Sequence, residues 1–363
     1  MKNVCLLLTD KGSYPWNLRV DALRAFERAG YSFLEVRWTC ALDFSSVAQA
    51  VAECKKHADN LVVLTCGFPL LNVAKDLSAA FGVGESLSSV SGEGIFTDGE
   101  KALFLLSCED EKYVKEVCIP YLQKKDGHRL GTIVLRSVGV DKDRMRALIQ
   151  KGESYAQGLV KIVLESRFGE DVIRIFYDER TPRMLTDDLL RFYADNLKDN
   201  LYAVEDTPLE KMLVELLRLR RKKIAVAESF TGGGVGRRIV SVSGASEVYV
   251  EGLNTYAETA KMRRLGVSEF TLRSQGAVSE QTAYEMAAGL LEQGGCDVSI
   301  ATTGLAGPNS DGSGVPVGTC CIAIGLDKNV YVYRYTLQGN REEVTETAIS
   351  YALFLACKQL KNM

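Results

Sequence analysis

The chain has 363 residues, which is too long for one ordinary hydrophobic core and predicts two or three domains. Its net charge of −3 argues against a general nucleic-acid binder, and no apolar run reaches the roughly 18 residues that a membrane-spanning helix needs. Ten cysteines occur without a CxxC pair, which is typical of reduced core residues. We therefore expect a cytoplasmic protein that binds neither membranes nor nucleic acid directly.

Residues 1–128 alternate short apolar runs with segments of helical spacing. Strands are predicted at 4–9, 31–36 and 61–65, with helices between them. This alternation predicts an α/β domain with a doubly wound parallel sheet. Residues 86–94 are rich in serine and glycine, which predicts a turn region.

Residues 129–205 predict a second, smaller α+β module. Its strands are expected at 132–138, 159–165 and 172–176, and its helices at 142–152 and 182–197. A new helix is predicted to begin near Pro208, and strand–helix alternation continues from there to the end of the chain. Residues 206–363 are therefore expected to form an α/β/α domain.

The most informative segment of the last domain is residues 224–238, which read IAVAESFTGGGVGRR. The apolar run predicts a strand, the glycine cluster predicts a turn, and a helix follows. Such a turn puts Ser229 and Thr231 beside unpaired main-chain N–H groups, which bind anions and stabilise a developing oxyanion. Ser229 is a candidate nucleophile, although an ordinary strand–turn–helix connection with a capping serine has the same pattern.

The last domain lacks the groups that most often activate a serine nucleophile, which limits how Ser229 could react. No histidine occurs from residue 206 onward, so a Ser-His-Asp triad cannot form within it, and no Cys/His/Asp cluster has metal-ligand spacing. The base must be a lysine of lowered pKa, a tyrosine or a carboxylate. Lys261 and Tyr256, on a segment that follows another predicted strand, are candidates. Ser279 fits a helix cap better than a catalytic group.

Six ordered motifs resemble the C-terminal domain of the CinA-like competence/damage-inducible protein family. The family signature AESCTGG matches AESFTGG at 227–233, and its YSNEAK matches YAETAK at 256–261. Four further matches are GAVSE at 276–280, TG and AGP at 303–308, PVGT at 316–319, and GNR at 339–341 for the family's GDR. The enzymatic members of this family are nicotinamide-nucleotide amidases.

The resemblance implies hydrolysis of the carboxamide of nicotinamide mononucleotide to nicotinic acid mononucleotide and ammonia, without metal or cofactor. Ser229 would attack the amide, while Lys261 and Tyr256 would manage its proton, in an order that stays open. Main-chain N–H groups of the glycine turns would hold the oxyanion. The residues implied in substrate binding are Thr231, Gly232, Gly233, Thr303, Gly304, Gly307 and Arg341.

The chain departs from the family pattern at a few positions near these residues. Phe230 replaces a small residue beside the nucleophile, which would crowd a pocket there. Glu258 and Thr259 replace Asn and Glu, and Asn340 replaces an Asp next to Arg341. A second function therefore stays open, that of a non-catalytic interaction protein associated with competence or DNA damage.

The front of the chain resembles the molybdopterin-binding-like domain of the same family in degenerate form. LTCGFP at 64–69 breaks the family's glycine motif, and only Asp76 is left nearby as a metal ligand, so pyrophosphatase activity is expected to be lost. Residues 129–205 resemble its KH-like domain but lack the Gly-x-x-Gly loop that binds RNA. We expect a spacer or dimerisation unit there, and a homodimer as the assembly.

Overall fold

The computed structural model describes residues 2–9, 19–40, 44–67, 74–90, 93–127, 130–293, 295–310 and 312–361. Contacts divide the chain into two compact units. The first comprises Met1–Thr132 with Phe176–Arg183, and the second Ile133–Ile175 with Met184–Met363. The division into three domains at 128 and 205 stays a prediction.

Six strands form the sheet of the first unit: β1 (Asn3–Thr9), β2 (Glu35–Cys40), β3 (Asn60–Cys66), β4 (Glu85–Val90), β5 (Glu93–Thr97) and β6 (Ala102–Ser107). Their order is β2-β1-β3-β6-β5-β4, with the first four parallel and β4 and β5 antiparallel. The turn region predicted at 86–94 is therefore wrong in part. Pairing through β5 onto β6 gives these residues sheet hydrogen bonds that local sequence does not predict.

Helices cover both faces of this sheet. They are α1 (Asp21–Arg28), α2 (Phe44–Cys54), α3 (Ala74–Phe81), α4 (Glu111–Tyr113) and, after a π-helical turn, α5 (Ile119–Asp126). Cys5 and Leu7 are buried in one cluster with Phe26 of α1, whereas Leu6 is buried in another with Val51 of α2. Successive residues of β1 thus face opposite helical layers, and the predicted doubly wound α/β arrangement is confirmed. Part of the 64–69 motif lies outside the described residues.

The second unit begins with a four-stranded sheet of order β10-β7-β9-β8. Its strands are β7 (Gly131–Val138), β8 (Lys161–Arg167), β9 (Glu170–Tyr177) and β10 (Leu201–Ala203), and its helices are α6 (Lys142–Ala156) and α7 (Arg183–Leu197). Leu135, Ile173, Met145 and Tyr193 are buried together between this sheet and the two helices. The elements predicted for the α+β module are present here.

The other sheet of the second unit has the order β12-β11-β13-β14-β15. Its strands are β11 (Ile224–Glu228), β12 (Tyr249–Asn254), β13 (Val298–Gly304), β14 (Thr319–Leu326) and β15 (Asn329–Thr336). Helices in this part are α8 (Leu209–Arg220), α9 (Gly234–Val240), α10 (Glu258–Leu265), α11 (Glu269–Gln275), α12 (Glu280–Glu292) and α13 (Arg341–Lys361). Val226 packs with α8, α9 and α13, while Ala225 packs with α10 and α12. This is the predicted α/β/α sandwich.

A partly buried ionic cluster around Arg238 connects α9 with three other elements of the second unit. Its guanidinium contacts Glu170 of β9 at 2.9 Å and Glu210 of α8 at 3.1 Å. Ser350 of α13 accepts a hydrogen bond from Arg238 and donates one to Glu170, each at 2.9 Å. The cluster thereby ties the four-stranded sheet to the helix that follows the Ser229 turn.

We expect Arg238→Met to lower the free energy of unfolding by about 2–3 kcal/mol, because two partly buried carboxylates would then lose their cation. Guanidinium chloride unfolding would measure the loss. The neighbouring Arg237, which is exposed and pairs with Glu346 at 3.1 Å, supplies the control: Arg237→Met should cost about 0–1 kcal/mol. A loss below 1 kcal/mol for Arg238→Met would contradict this interpretation.

Among the helices of the described residues, none combines the length and the apolar character required to cross a bilayer.

Candidate active site

The carboxyl ends of three parallel strands meet at the position of Ser229. Glu228, the last residue of β11, pairs with Asn254 of β12 on one side and with Thr302 of β13 on the other. The chain leaves β11 toward β12 and later returns to the opposite side of β11 as β13. Such a reversal of strand order opens a crevice outside the strand ends, where ligands bind in α/β sheets. Ser229 follows β11 directly into this crevice.

Lys261 of α10 reaches Ser229 from the neighbouring segment. Its Nζ lies 3.0 Å from Ser229 Oγ, and the lysine side chain is almost completely buried, at 1% exposure. The same Nζ donates to the main-chain carbonyl oxygens of Thr255 at 2.8 Å and Tyr256 at 3.0 Å. The structure therefore brings together the predicted nucleophile and one of its two predicted bases.

The two carbonyl oxygens determine how Lys261 can act. An ammonium group has three N–H donors, which here are used by the two carbonyls and Ser229 Oγ. A neutral amine keeps two donors, and because carbonyls only accept, its lone pair then faces Ser229. Burial lowers the pKa of Lys261 to about 8, against a smaller opposing effect of the Glu258 carboxylate. Neutral Lys261 is thus accessible near physiological pH and directed at the serine hydroxyl.

The Tyr256 hydroxyl is not brought to Ser229. The side chain is 67% exposed, and its hydroxyl lies 3.5 Å from Nη2 of Arg341, at the outer limit for a hydrogen bond. Tyr256 contacts the lysine only through its main-chain carbonyl. Arg341, at the start of α13, also donates from Nη1 to the carbonyl of Gly307 at 2.7 Å. Tyr256, Gly307 and Arg341 therefore form the outer rim of the crevice.

The glycine turn differs from the oxyanion site that the sequence predicts. The main-chain N–H groups of Gly233, Val235 and Gly236 all donate to the carboxylate of Glu228, at 2.9 to 3.1 Å. Those of Gly232 and Gly234 donate to the carbonyls of Ser229 and Thr231. The amides of the glycine cluster are therefore already occupied by acceptors from the protein itself.

Two main-chain N–H groups beside Ser229 remain as candidate donors to an oxyanion. Within the residues that the structure describes, the main-chain N–H groups of Phe230 and Thr231 make no hydrogen bond. They follow Ser229 immediately, which is where serine hydrolases of other folds carry an oxyanion donor. The adjoining Gly232, at φ +59°, has open space around its Cα, which leaves room for a ligand.

Two of the threonines predicted to bind substrate use their hydroxyl groups within the protein. The Thr231 hydroxyl lies 2.7 Å from that of Thr302, and both are buried. The Thr303 hydroxyl donates to the carbonyl of Ala277 at 2.6 Å, which joins β13 to the segment before α12. These residues therefore shape the crevice, and their hydroxyls are already engaged.

Phe230 is buried, and its ring packs into the core of the domain. Whether it also narrows the substrate site, as its replacement of a small residue predicts, stays a prediction. Its ring lies in the cluster on the α8, α9 and α13 face of the sheet. A Cβ atom at Gly304 would come within 2.9 Å of the ring, and also of Thr319 O. Gly304 thus makes room for Phe230, because its missing side chain leaves the space that the ring occupies.

Two further polar residues of the motifs serve as helix caps. Asn340 accepts from the N–H of Glu343 at 3.0 Å, and Glu343 accepts in return from the N–H of Asn340 at 2.8 Å, which is a capping box for α13. Ser279 accepts from the N–H of Thr282 and caps α12 as predicted. Asn340, which differs from the Asp of the family, therefore still caps the helix that begins at Arg341.

Glu228 and Thr255 are the contributors that sequence reasoning missed. Glu228 is a charged residue at the end of an otherwise apolar strand, which is a usable signal. Thr255 acts through its carbonyl oxygen, which no side-chain pattern reports. No cluster of three or more metal-binding side chains occurs in the part of the chain that the structure describes.

Comparison with known proteins finds relatives along most of the chain. The profile of the family described as the CinA C-terminal domain matches residues 206–360. A Clostridium acetobutylicum protein named "Putative competence-damage inducible protein" is 30% identical over 285 residues, covering 74% of this chain and 67% of that protein. A "CinA-like protein" of Kosmotoga olearia is 31% identical over 269 residues, covering 71% and 64% respectively. The chain thus spans about two thirds of the length of these curated relatives.

Solved structures of the same superfamily match less than half of this chain. A competence-damaged protein (CinA) superfamily protein from Klebsiella pneumoniae is 30% identical, covers 43% of this chain and 97% of its own, and has a TM-score of 0.42. One from Enterobacter cloacae is 34% identical, covers 44% and 97%, and has a TM-score of 0.41. By its matching profile and by the extent of its alignment with the Clostridium acetobutylicum protein, this chain belongs to the CinA family.

Proposed function

We propose that the C-terminal domain hydrolyses the carboxamide of nicotinamide mononucleotide, giving nicotinic acid mononucleotide and ammonia. The observation that carries this proposal is the buried contact of 3.0 Å between Lys261 Nζ and Ser229 Oγ. A buried lysine beside a serine activates the hydroxyl without histidine. The choice of substrate rests on the resemblance of six ordered motifs to the amidase members of the family.

In the first step of the proposed reaction, neutral Lys261 takes the proton of Ser229 as Oγ attacks the carboxamide carbon. The N–H groups of Phe230 and Thr231 would donate to the oxyanion that forms. Lys261 then gives its proton to the amide nitrogen, the C–N bond breaks, and ammonia leaves an acyl-serine. Water activated by Lys261 cleaves this ester and regenerates Ser229. These steps use only side chains and amides of the chain.

Arg341 supports the nucleotide part of the proposal. Its guanidinium donates to a carbonyl and approaches a phenol, and within the described residues it has no carboxylate partner. A guanidinium without a carboxylate at the rim of a crevice is suited to a phosphate. The exposed ring of Tyr256 beside it offers a surface for the pyridine ring of the same substrate.

The proposal is tested by incubating the purified protein with nicotinamide mononucleotide and measuring ammonia and the acid product. Nicotinamide riboside, which lacks the phosphate, is the matched substrate, and we expect it to have a higher KM because Arg341 loses its partner. No product from the nucleotide at micromolar enzyme would contradict the amidase. That result would favour the alternative of a non-catalytic interaction protein associated with competence or DNA damage, as the names of the relatives suggest.

A substitution at Tyr256 separates the two roles considered for its hydroxyl. We expect Tyr256→Phe to change kcat by less than about tenfold, because the hydroxyl reaches only Arg341 and the carbonyl that holds Lys261 is retained. Steady-state kinetics would measure the change in kcat, with Tyr331→Phe on the exposed strand β15 as the control. A loss of about 100-fold or more would instead assign the hydroxyl to proton transfer, as the resemblance implies.

A further inference from the structure

We infer that Glu228 is a positioning residue for Ser229: its buried carboxylate holds the turn that carries the nucleophile. The inference rests on the proposed function for the chemistry that it serves. Glu228 itself takes part in no step of that reaction. It is 1% exposed, and among the described residues no lysine or arginine forms an ion pair with it.

Within the described residues, the hydrogen bonds to this carboxylate all come from main-chain amides. Oε2 accepts from Gly233 at 3.0 Å and Val235 at 3.1 Å, and Oε1 accepts from Gly236 at 2.9 Å. A buried charge without partners would be costly, but three N–H donors at the positive end of α9 offset this cost. The side chain thus closes a loop from residue 228 to residue 236, and Ser229 lies inside it.

Closure of this loop decides which amides are available to a substrate. The amides of the glycine cluster are bound to Glu228 or to carbonyls of the turn, whereas the N–H groups of Phe230 and Thr231 have no acceptor among the described residues. If the carboxylate is lost, Gly233, Val235 and Gly236 must find other partners, and the turn can rearrange. The oxyanion donors next to Ser229 would shift with it.

The main chain of Glu228 also contributes to the position of the base, Lys261. Its carbonyl oxygen accepts from the N–H of Thr255 at 2.8 Å, and the Thr255 carbonyl in turn accepts from Lys261. The positions of the nucleophile Ser229 and the base Lys261 therefore both depend on Glu228, at the end of β11. A displacement of its backbone would change the distance between Ser229 and Lys261.

Glu228→Gln tests the side chain while keeping its size. The amide has one accepting oxygen, and its NH2 group would face N–H donors, so at least one of the three main-chain amides loses its acceptor. We expect the second-order rate constant for labelling of Ser229 by a fluorophosphonate to fall about 10- to 100-fold, because small misplacement of reacting groups has effects of this size. A rate constant is measured on the folded fraction alone, so it separates positioning from mere loss of folded protein.

Glu285→Gln is the matched control. Glu285 is a partly buried carboxylate of the same domain that binds the start of α11, accepting from the N–H of Ser268 at 2.8 Å and the hydroxyl of Thr271 at 2.6 Å. Its variant should label within about twofold of wild type, since it contacts neither Ser229 nor Lys261. Labelling of Glu228→Gln at the wild-type rate would overturn the inference.

Amide hydrogen exchange gives a second measurement that requires no activity. We expect Gly233, Val235 and Gly236 to lose protection in Glu228→Gln and to keep it in Glu285→Gln. Unchanged protection of these three amides would also overturn the inference. Turnover of nicotinamide mononucleotide, measured in parallel, tests the proposed function separately, because labelling depends on Ser229 and its turn and not on that substrate.

Discussion

Ser229→Ala is expected to abolish release of ammonia from nicotinamide mononucleotide, with kcat lowered by about 10⁴-fold or more. The variant lacks the oxygen that would form the acyl intermediate, and no other hydroxyl lies within hydrogen-bond distance of Lys261 Nζ among the described residues. The substrate should still bind, because Arg341 and the rim are unchanged. Ammonia and acid product would be measured together, with binding followed by calorimetry.

Ser279→Ala is the matched control for this experiment. Ser279 is another buried serine of the same domain, and its hydroxyl caps α12 through the N–H of Thr282 at 3.2 Å. Its loss should reduce stability by about 1 kcal/mol and leave the chemistry intact. Equal turnover by Ser229→Ala and wild type would exclude Ser229 as the nucleophile.

Lys261→Met should also remove most activity, by about 10²- to 10⁴-fold in kcat, because no group would then take the proton of Ser229. In the wild-type protein we expect kcat/KM to rise with pH and level off above about 8, as Lys261 loses its proton. Lys222→Met provides the control, since Lys222 forms a surface ion pair with Asp327. A wild-type rate that is independent of pH between 6 and 9 would contradict Lys261 as the base.

The same variant should alter how stability depends on pH. The folded pKa of Lys261 is about 8, below its ordinary value of 10.5, so below pH 8 both folded and unfolded chains carry the proton and the folded protein bears the cost of the buried charge. Between pH 8 and 10.5 only the unfolded chain holds it, so the free energy of unfolding gains a contribution on the order of 3 kcal/mol as pH rises. Lys261→Met should lack this gain in denaturant titrations at pH 7 and 10. An equal gain in both proteins would show that Lys261 is not the responsible group.

Much of the fold follows from periodicity, and the exceptions have physical reasons. The apolar runs before Ser229 and through β13 are buried on both faces of a sheet, so their sequence alone identifies them as central strands. The serine-rich residues of β4 form a strand only because β5 already pairs with β6. Pairing partners distant in sequence leave no local pattern to read.

The sequence predicts which residues form the candidate site, but it predicts less well which contacts they make. Ser229 and Lys261 could be selected because a domain without histidine needs another base. The direction of the Phe230 ring could not be predicted, since it depends on space left by Gly304 on a neighbouring strand. The hydrogen bonds from the turn amides to Glu228 could not be predicted either. They depend on backbone geometry, because the N–H groups of a glycine cluster can bind any acceptor that lies close enough.

The carbonyl anchors of Lys261 have a consequence for how this segment tolerates substitution. Because main-chain oxygens of residues 255 and 256 orient the amine, the side chains at 257, 258 and 259 can differ from those of relatives without changing its orientation, although the Glu258 carboxylate also raises the pKa of Lys261. A change that redirects the backbone, such as an inserted residue between 255 and 261, would disconnect the lysine even if every named side chain stayed. Redesign of residues 257–259 for a new ligand can therefore change the side chains, with the charge at 258 as the exception, but must keep the length of the segment.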